Sequence, residues 1–136
     1  MILDTSALLA VLLREPEAEA FATRMAGAEE GVRMSAASYL EASIIIDRSS
    51  DAIRRAMLDQ FLEEFGIEIE PVTVEQSRAA RHAFREFGKG VHPAGLNFGD
   101  CFTYALTRAK REPLLFKGND FSRTDLTPAI ATQVAP

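Results

Sequence analysis

Apolar residues fall in short runs between polar turns, and their spacing switches between strand and helix periods along the chain. Met1-Ile2-Leu3 reads as a short buried strand running into Asp4-Thr5-Ser6. Residues 7–13 have the length and composition of a helix, and Pro16 suits the first turn of a second one through Phe21 and Met25 to Gly27. Residues 32–34 form the second predicted strand, followed by a nearly apolar helix over 36–47. Ser50-Asp51 looks like the cap of a helix over 52–65, with Ile53, Met57, Leu58, Phe61, Leu62 and Phe65 on one face and Gly66 ending it. Residues 67–70 alternate as a strand does, and Pro71 closes it. Thr73 opens a helix to about residue 87, and a loop rich in glycine and proline covers 88–96, expected to be mobile. Asn97 caps a long helix to Arg111, expected to be mostly buried through Phe98, Phe102, Ala105, Leu106 and Ala109. Residues 113–116 are a strand ending in Lys117-Gly118-Asn119-Asp120, and a last short strand is expected near 130–134. Strands alternating with helices predict an α/β fold: a three-layer α/β/α sandwich around a mainly parallel sheet of roughly five strands.

The 136 residues are read as one domain, 1–136. Hydrophobic residues make up 47% and charged residues 26%, which excludes a disordered chain. No apolar run approaches a membrane span, and residues 1–13 carry Asp4 without a basic leader. The single cysteine, Cys101, excludes an internal disulfide and zinc-finger spacings and fits a reducing, cytoplasmic setting. Fifteen basic against twenty acidic side chains give −5, which argues against a simple electrostatic clamp on nucleic acid. Where the acids stand therefore matters more than how many there are.

Glu41 lies inside Ala36-Ala37-Ser38-Tyr39-Leu40-Glu41-Ala42-Ser43-Ile44-Ile45-Ile46. Either it occupies a narrow exposed stripe, or something holds a carboxylate in apolar surroundings. Asp4 ends the first strand and Asp120 follows the strand over 113–116, so both project toward the rim where open parallel sheets bind ligands. Taken singly, each is as well read as a turn or cap aspartate. Asp100 lies in the first turn of its helix, three residues after Asn97 and on the same face. If Asp4, Glu41, Asp100 and Asp120 converge, their mutual repulsion calls for a hard divalent cation, and oxygen donors suit Mg²⁺ or Mn²⁺. Such a site is suited to metal-assisted phosphodiester hydrolysis. Thr5 and Ser6 could bond a metal-bound water or a phosphate, or cap a helix. Arg78, Arg81, Arg85 and Lys89 line one helical face, either as a solvated stripe or as phosphate contacts.

With only His82 and His92 available, no Ser-His-Asp grouping suggests itself, and His92 reads as an ordinary loop histidine. No GxxxxGK[ST] segment is present. A phosphoacceptor receiver domain would need an aspartate where the second strand ends in Ser35, and a dehalogenase-type phosphatase would need Asp-x-Asp at the first strand.

Ile2-Leu3-Asp4-Thr5-Ser6-Ala7-Leu8-Leu9, Glu41 in its apolar helix, Leu96-Asn97-Phe98-Gly99-Asp100-Cys101-Phe102 and Lys117-Gly118-Asn119-Asp120-Phe121 resemble the PIN-domain ribonucleases, and most closely VapC toxins. The resemblance runs through essentially the whole chain. It implies a Mg²⁺- or Mn²⁺-dependent endoribonuclease toxin acting on RNA such as tRNA or ribosomal RNA. By position, Asp4, Glu41, Asp100 and Asp120 become the acidic quartet, with Asp4 and Asp100 the most direct ligands and Thr5, Ser6 and Asn97 as polar support. It further implies a homodimer and a VapB-type antitoxin whose C-terminal segment crosses a helical groove and can direct a basic side chain at the acids. A scaffold of the same fold that binds RNA or protein without cleaving is the alternative, and DNA is an alternative substrate.

Overall fold

The computed structural model describes residues 1–131. Its elements run β1 (Ile2–Leu3), α1 (Thr5–Leu12), α2 (Ala18–Ala26), β2 (Arg33–Ser35), α3 (Ala36–Arg48), α4 (Ala52–Glu64), β3 (Glu68–Glu70), α5 (Val74–Phe87), α6 (Phe98–Lys110), β4 (Leu114–Leu115) and a 3₁₀ turn, Phe121–Arg123. The strands pair in parallel in the order β3-β2-β1-β4.

Alternation within the central strands divides the core into two layers, as period-two side chains must. Leu3 and Leu115 pack with Ala7, Leu8, Phe21, Met25, Ile46, Leu58 and Phe61, so α1 to α4 cover one face. Ile2, Leu114 and Phe116 pack with Ala80, Ala83, Phe87, Tyr104 and Leu106, so α5 and α6 cover the other. This is the expected three-layer sandwich.

Among the described residues the sheet has four strands rather than five. Residues 132–134 of the expected fifth strand lie outside the described residues. Before them, Pro128 makes an isolated parallel bridge to Leu114, with the Leu114 amide donating to the Thr127 carbonyl at 2.9 Å. The first helix starts at Thr5 instead of residue 7, because Asp4 is its N-cap. Pro16 stays in the preceding turn, and α2 begins at Ala18. The 88–96 loop is tied down rather than open. The Lys89 amide donates to the Leu96 carbonyl and the Leu96 amide to Phe87, both through Gly88, where a Cβ would collide with Phe84. His92 accepts from the Ala94 amide on Nδ1 and meets the Phe87 ring edge-on, which makes it a structural residue of that turn.

After β1, β2 and β3 step outward to one side, the chain crosses back to lay β4 on the free side of β1. The order therefore reverses between β1 and β4, and a crevice opens outside their carboxyl ends. The Asp4 amide donates to the Leu115 carbonyl at 3.0 Å, stitching the two strand ends together there.

Candidate functional site

Asp4 leaves β1 at this crevice with only 5% of its surface exposed. A buried carboxylate needs donors, and Asp4 has three. Oδ2 accepts from the Ser6 amide at 3.0 Å and the Ser6 hydroxyl at 2.6 Å, and Oδ1 accepts from the Thr103 hydroxyl at 2.6 Å. Thr103 has given its proton to Asp4, so Ser38, whose Oγ stands 3.0 Å away, donates to Thr103. The Lys117 amide, just after β4, donates to Ser6 Oγ at 2.9 Å, and the Lys117 ammonium pairs with Glu15 and Glu17. Thr5 turns away to the Ser38 carbonyl at 3.0 Å and ties α1 to α3. Of the two serine/threonine candidates, Ser6 orients Asp4 and Thr5 is a packing contact.

Asp100 reaches the same crevice from the N-terminus of α6, where Asn97 and Asp100 form a reciprocal capping box. The Asn97 amide donates to Asp100 Oδ2 at 3.0 Å, and the Asp100 amide donates to Asn97 Oδ1 at 2.9 Å. Such a cap stabilises the helix by about 1 kcal/mol and fixes where the carboxylate points. Burial pushes the Asp100 carboxyl up to about 7. The hydrogen bond from Asn97 opposes that shift, while the charges of Asp4, Asp120 and Glu41 add to it. The other three sequence-predicted acids are thus within electrostatic reach of the Asp100 carboxyl.

Glu41 arrives from α3 and is exposed, not enclosed by the apolar helix around it. It fits because position 99 is glycine. A Cβ there would stand 3.0 Å from Glu41 Cδ and 3.1 Å from its Oε1, with Oε2 nearer still. Asp120, also exposed, opens the 3₁₀ turn without capping it, so its carboxylate is free of that duty. Ser38 and Thr103 were not singled out from the sequence. Their signal was spacing, since each stands three residues from a candidate acid, Glu41 and Asp100, and so shares its helical face.

Among the described residues no three His, Cys, Asp or Glu side chains are gathered tightly enough to hold one ion between them. Mg²⁺ held by one or two carboxylates and several waters needs no such triad. The all-oxygen donor set and a carboxyl driven toward protonation by burial and then by the charges of its neighbours both fit a hard divalent cation. In cation-free buffer, folding keeps a proton on Asp100 that the unfolded chain releases. Between 3.8 and about 7 the folded state then binds more protons, so stability falls as pH rises through that window. Discounted for partial solvation, the loss is about 1–2 kcal/mol. Thermal melts from pH 4 to 8 should show this slope in wild type and not in Asp100→Asn, and equal slopes would refute the shift.

Arg78, Arg81 and Arg85 along α5 and Lys89 just past its end are all exposed and make no ion pair among the described residues. Phe98, expected in the buried stripe of α6, is instead 81% exposed, because neither α3 nor α5, which flank this turn, covers its side chain. A cavity of about 810 Å³ lies at the other end of α6 near Arg111 and Pro113 and contains none of the four acids.

The model of the PIN domain family matches residues 1–126. The chain belongs to the PIN-domain family. VapC ribonuclease Mb0625 of Mycobacterium bovis and Ribonuclease VapC28 of Mycobacterium tuberculosis are each 50% identical to this PIN domain over 131 residues, covering 96% of it and 98% of the relative. Ribonuclease VapC of Mycolicibacterium smegmatis is 46% identical over 127 residues, covering 93% and 97%. The PIN domain is therefore a VapC-type member. Its fold matches the crystal structure of VapC20 of Mycobacterium tuberculosis, described as a sarcin-ricin loop cleaving toxin, with a TM-score of 0.74 over 99% of this chain and 98% of that one, at 17% identity.

Proposed function

We propose that this VapC-type PIN domain is a ribonuclease toxin that cleaves RNA endonucleolytically with Mg²⁺ or Mn²⁺, and that a VapB-type antitoxin inhibits it. The observation that carries the reading is the Asp100 carboxyl, pushed up to about 7 by burial and then by Asp4, Asp120 and Glu41 at the switch point of the sheet. A bound Mg²⁺ or Mn²⁺ would neutralise these acids, polarise a phosphoryl oxygen and ease deprotonation of water. Asp4 and Asp100 are the direct ligands in this reading, and Glu41 and Asp120 complete the site or orient water. Ser6, Thr103 and the Asn97 cap hold Asp4 and Asp100 in their rotamers, so little reorganisation is needed when RNA arrives. The amino ends of α1 and α6 meet the same crevice, and helix N-termini favour anions. The unpaired cations Arg78, Arg81, Arg85 and Lys89 supply the attraction for phosphate that the net charge of −5 lacks.

The antitoxin reading is supported by a groove of about 470 Å³ beside Glu41, lined by Leu40, Ile44, Ile45, Phe98 and Phe102. An apolar segment lying there would bring a basic side chain to the acids. A homodimer and a cytoplasmic location belong to the same reading. Among the described residues no helix is long and apolar enough to cross a membrane.

The test is incubation of antitoxin-free protein with total cellular RNA in Mg²⁺, in Mn²⁺ and in EDTA, with fragment ends mapped by sequencing. Discrete cuts present with either metal and lost in EDTA are expected, on tRNA or ribosomal RNA. Cuts that persist in EDTA would overturn the metal assignment, and no cuts in any condition would favour the non-cleaving scaffold.

A further inference from the structure

Phe98 is the most exposed of the large apolar side chains described, two residues from Asp100 and beside the glycine that admits Glu41. Leaving a phenyl ring in water forgoes burial that most aromatic residues obtain. The ring is braced by a neighbour, with the Phe98 and Phe102 rings meeting at 84° and 5.0 Å between centroids. Toward α5 the pair forms one wall of a cavity of about 340 Å³, whose other walls are Ser77, Ala80, Arg81, Phe84 and Cys101. Toward α3 it borders the separate groove that contains Glu41.

The two sides differ in charge. The α5 cavity has no acid in its lining and one free guanidinium, Arg81, which continues into the unpaired row of Arg78, Arg85 and Lys89. An aromatic wall with a free cation beside it suits a flat π-system attached to a phosphate, because the ring takes the base and the cations take the backbone. An apolar protein segment would use the walls and leave Arg81 and its neighbours without partners. We propose that Phe98 is a stacking platform for an unpaired nucleobase next to the scissile phosphate, with the cavity between α5 and α6 as the pocket of that base. The inference rests on the ribonuclease reading and narrows its substrate. A base inside a duplex cannot reach the ring, so the base beside the cut must be unpaired and free to splay onto the aromatic side chain.

Single-stranded oligoribonucleotides carrying 2-aminopurine at successive positions, bound in EDTA, test this by fluorescence. Cleavage kinetics of the same strands are read in Mg²⁺ or Mn²⁺. One probe position should change its fluorescence on binding, unaltered in Phe98→Tyr and lost in Phe98→Leu. KM should rise roughly tenfold in Phe98→Leu, as expected for one lost base stack, with kcat nearly unchanged, and Phe98→Tyr should restore it. Wild-type fluorescence and KM in Phe98→Leu would overturn the proposal and mark a seat for apolar protein side chains. A fall in kcat alone would also overturn it, since Phe98 would then act by placing Asp100. Wild type that changes the probe but cuts nothing would retain the platform and overturn the ribonuclease reading.

Discussion

Asp4→Asn is expected to slow RNA cleavage by at least a hundredfold while the fold survives. The carboxylate accepts from Ser6 on one oxygen and from Thr103 on the other. Asparagine can keep its oxygen toward the Ser6 amide and turn its amide nitrogen to Thr103. Thr103 then donates to Ser38, 3.0 Å away, so the hydroxyl chain runs in reverse and only the buried Ser38 hydroxyl loses its acceptor. The folding cost should stay within about 1–3 kcal/mol, a Tm change of about 3–10 °C for a domain of this size. What is lost is a full negative charge at the centre of the acidic site, and several kcal/mol of transition-state stabilisation depend on the cation it would hold. Cleavage assays beside melting curves check this. Wild-type rates in the variant would remove Asp4 from the site.

Gly99→Ala is expected to reduce cleavage by about ten- to a hundredfold without removing any acid. Displacement of a catalytic group by an ångström commonly costs that much. The added methyl would occupy the space of the Glu41 carboxylate. Because that carboxylate ends a flexible, exposed side chain, it can swing aside and the fold loses little. Activity should fall toward that of Glu41→Gln, and Glu41→Gln combined with Gly99→Ala should be no worse than Glu41→Gln alone. Multiplicative losses in the double variant would show that Gly99 acts elsewhere.

Local rules made much of this arrangement readable in advance. The Asn97–Asp100 capping box was visible as a cap with an acid three residues on, and Asp51 and Thr73 cap α4 and α5 as expected. The same rules misplaced Phe98. Helical periodicity assigns a residue to a stripe but does not say whether a neighbouring element reaches that turn. They also left the fate of Glu41 open, since an acid in an apolar helix reads alike whether it faces water or a site. Ser38 and Thr103 are not marked as site residues by sequence, because nothing local ties hydroxyls on two different helices to one aspartate.

The sequence alone determined the alternation of strands and helices, the caps, and the three acids Asp4, Asp100 and Asp120 that follow strand ends or open a helix turn, because those depend on a few neighbouring residues. Only the tertiary structure decided that β4 lies against β1, which closes the crevice over Asp4. It alone brought Thr103 to Asp4 across 99 positions, set Glu41 over Gly99, and left Phe98 in solvent. These contacts follow from strand order and helix docking, which are settled by burying both faces of the sheet at once, and no short window of sequence contains both partners.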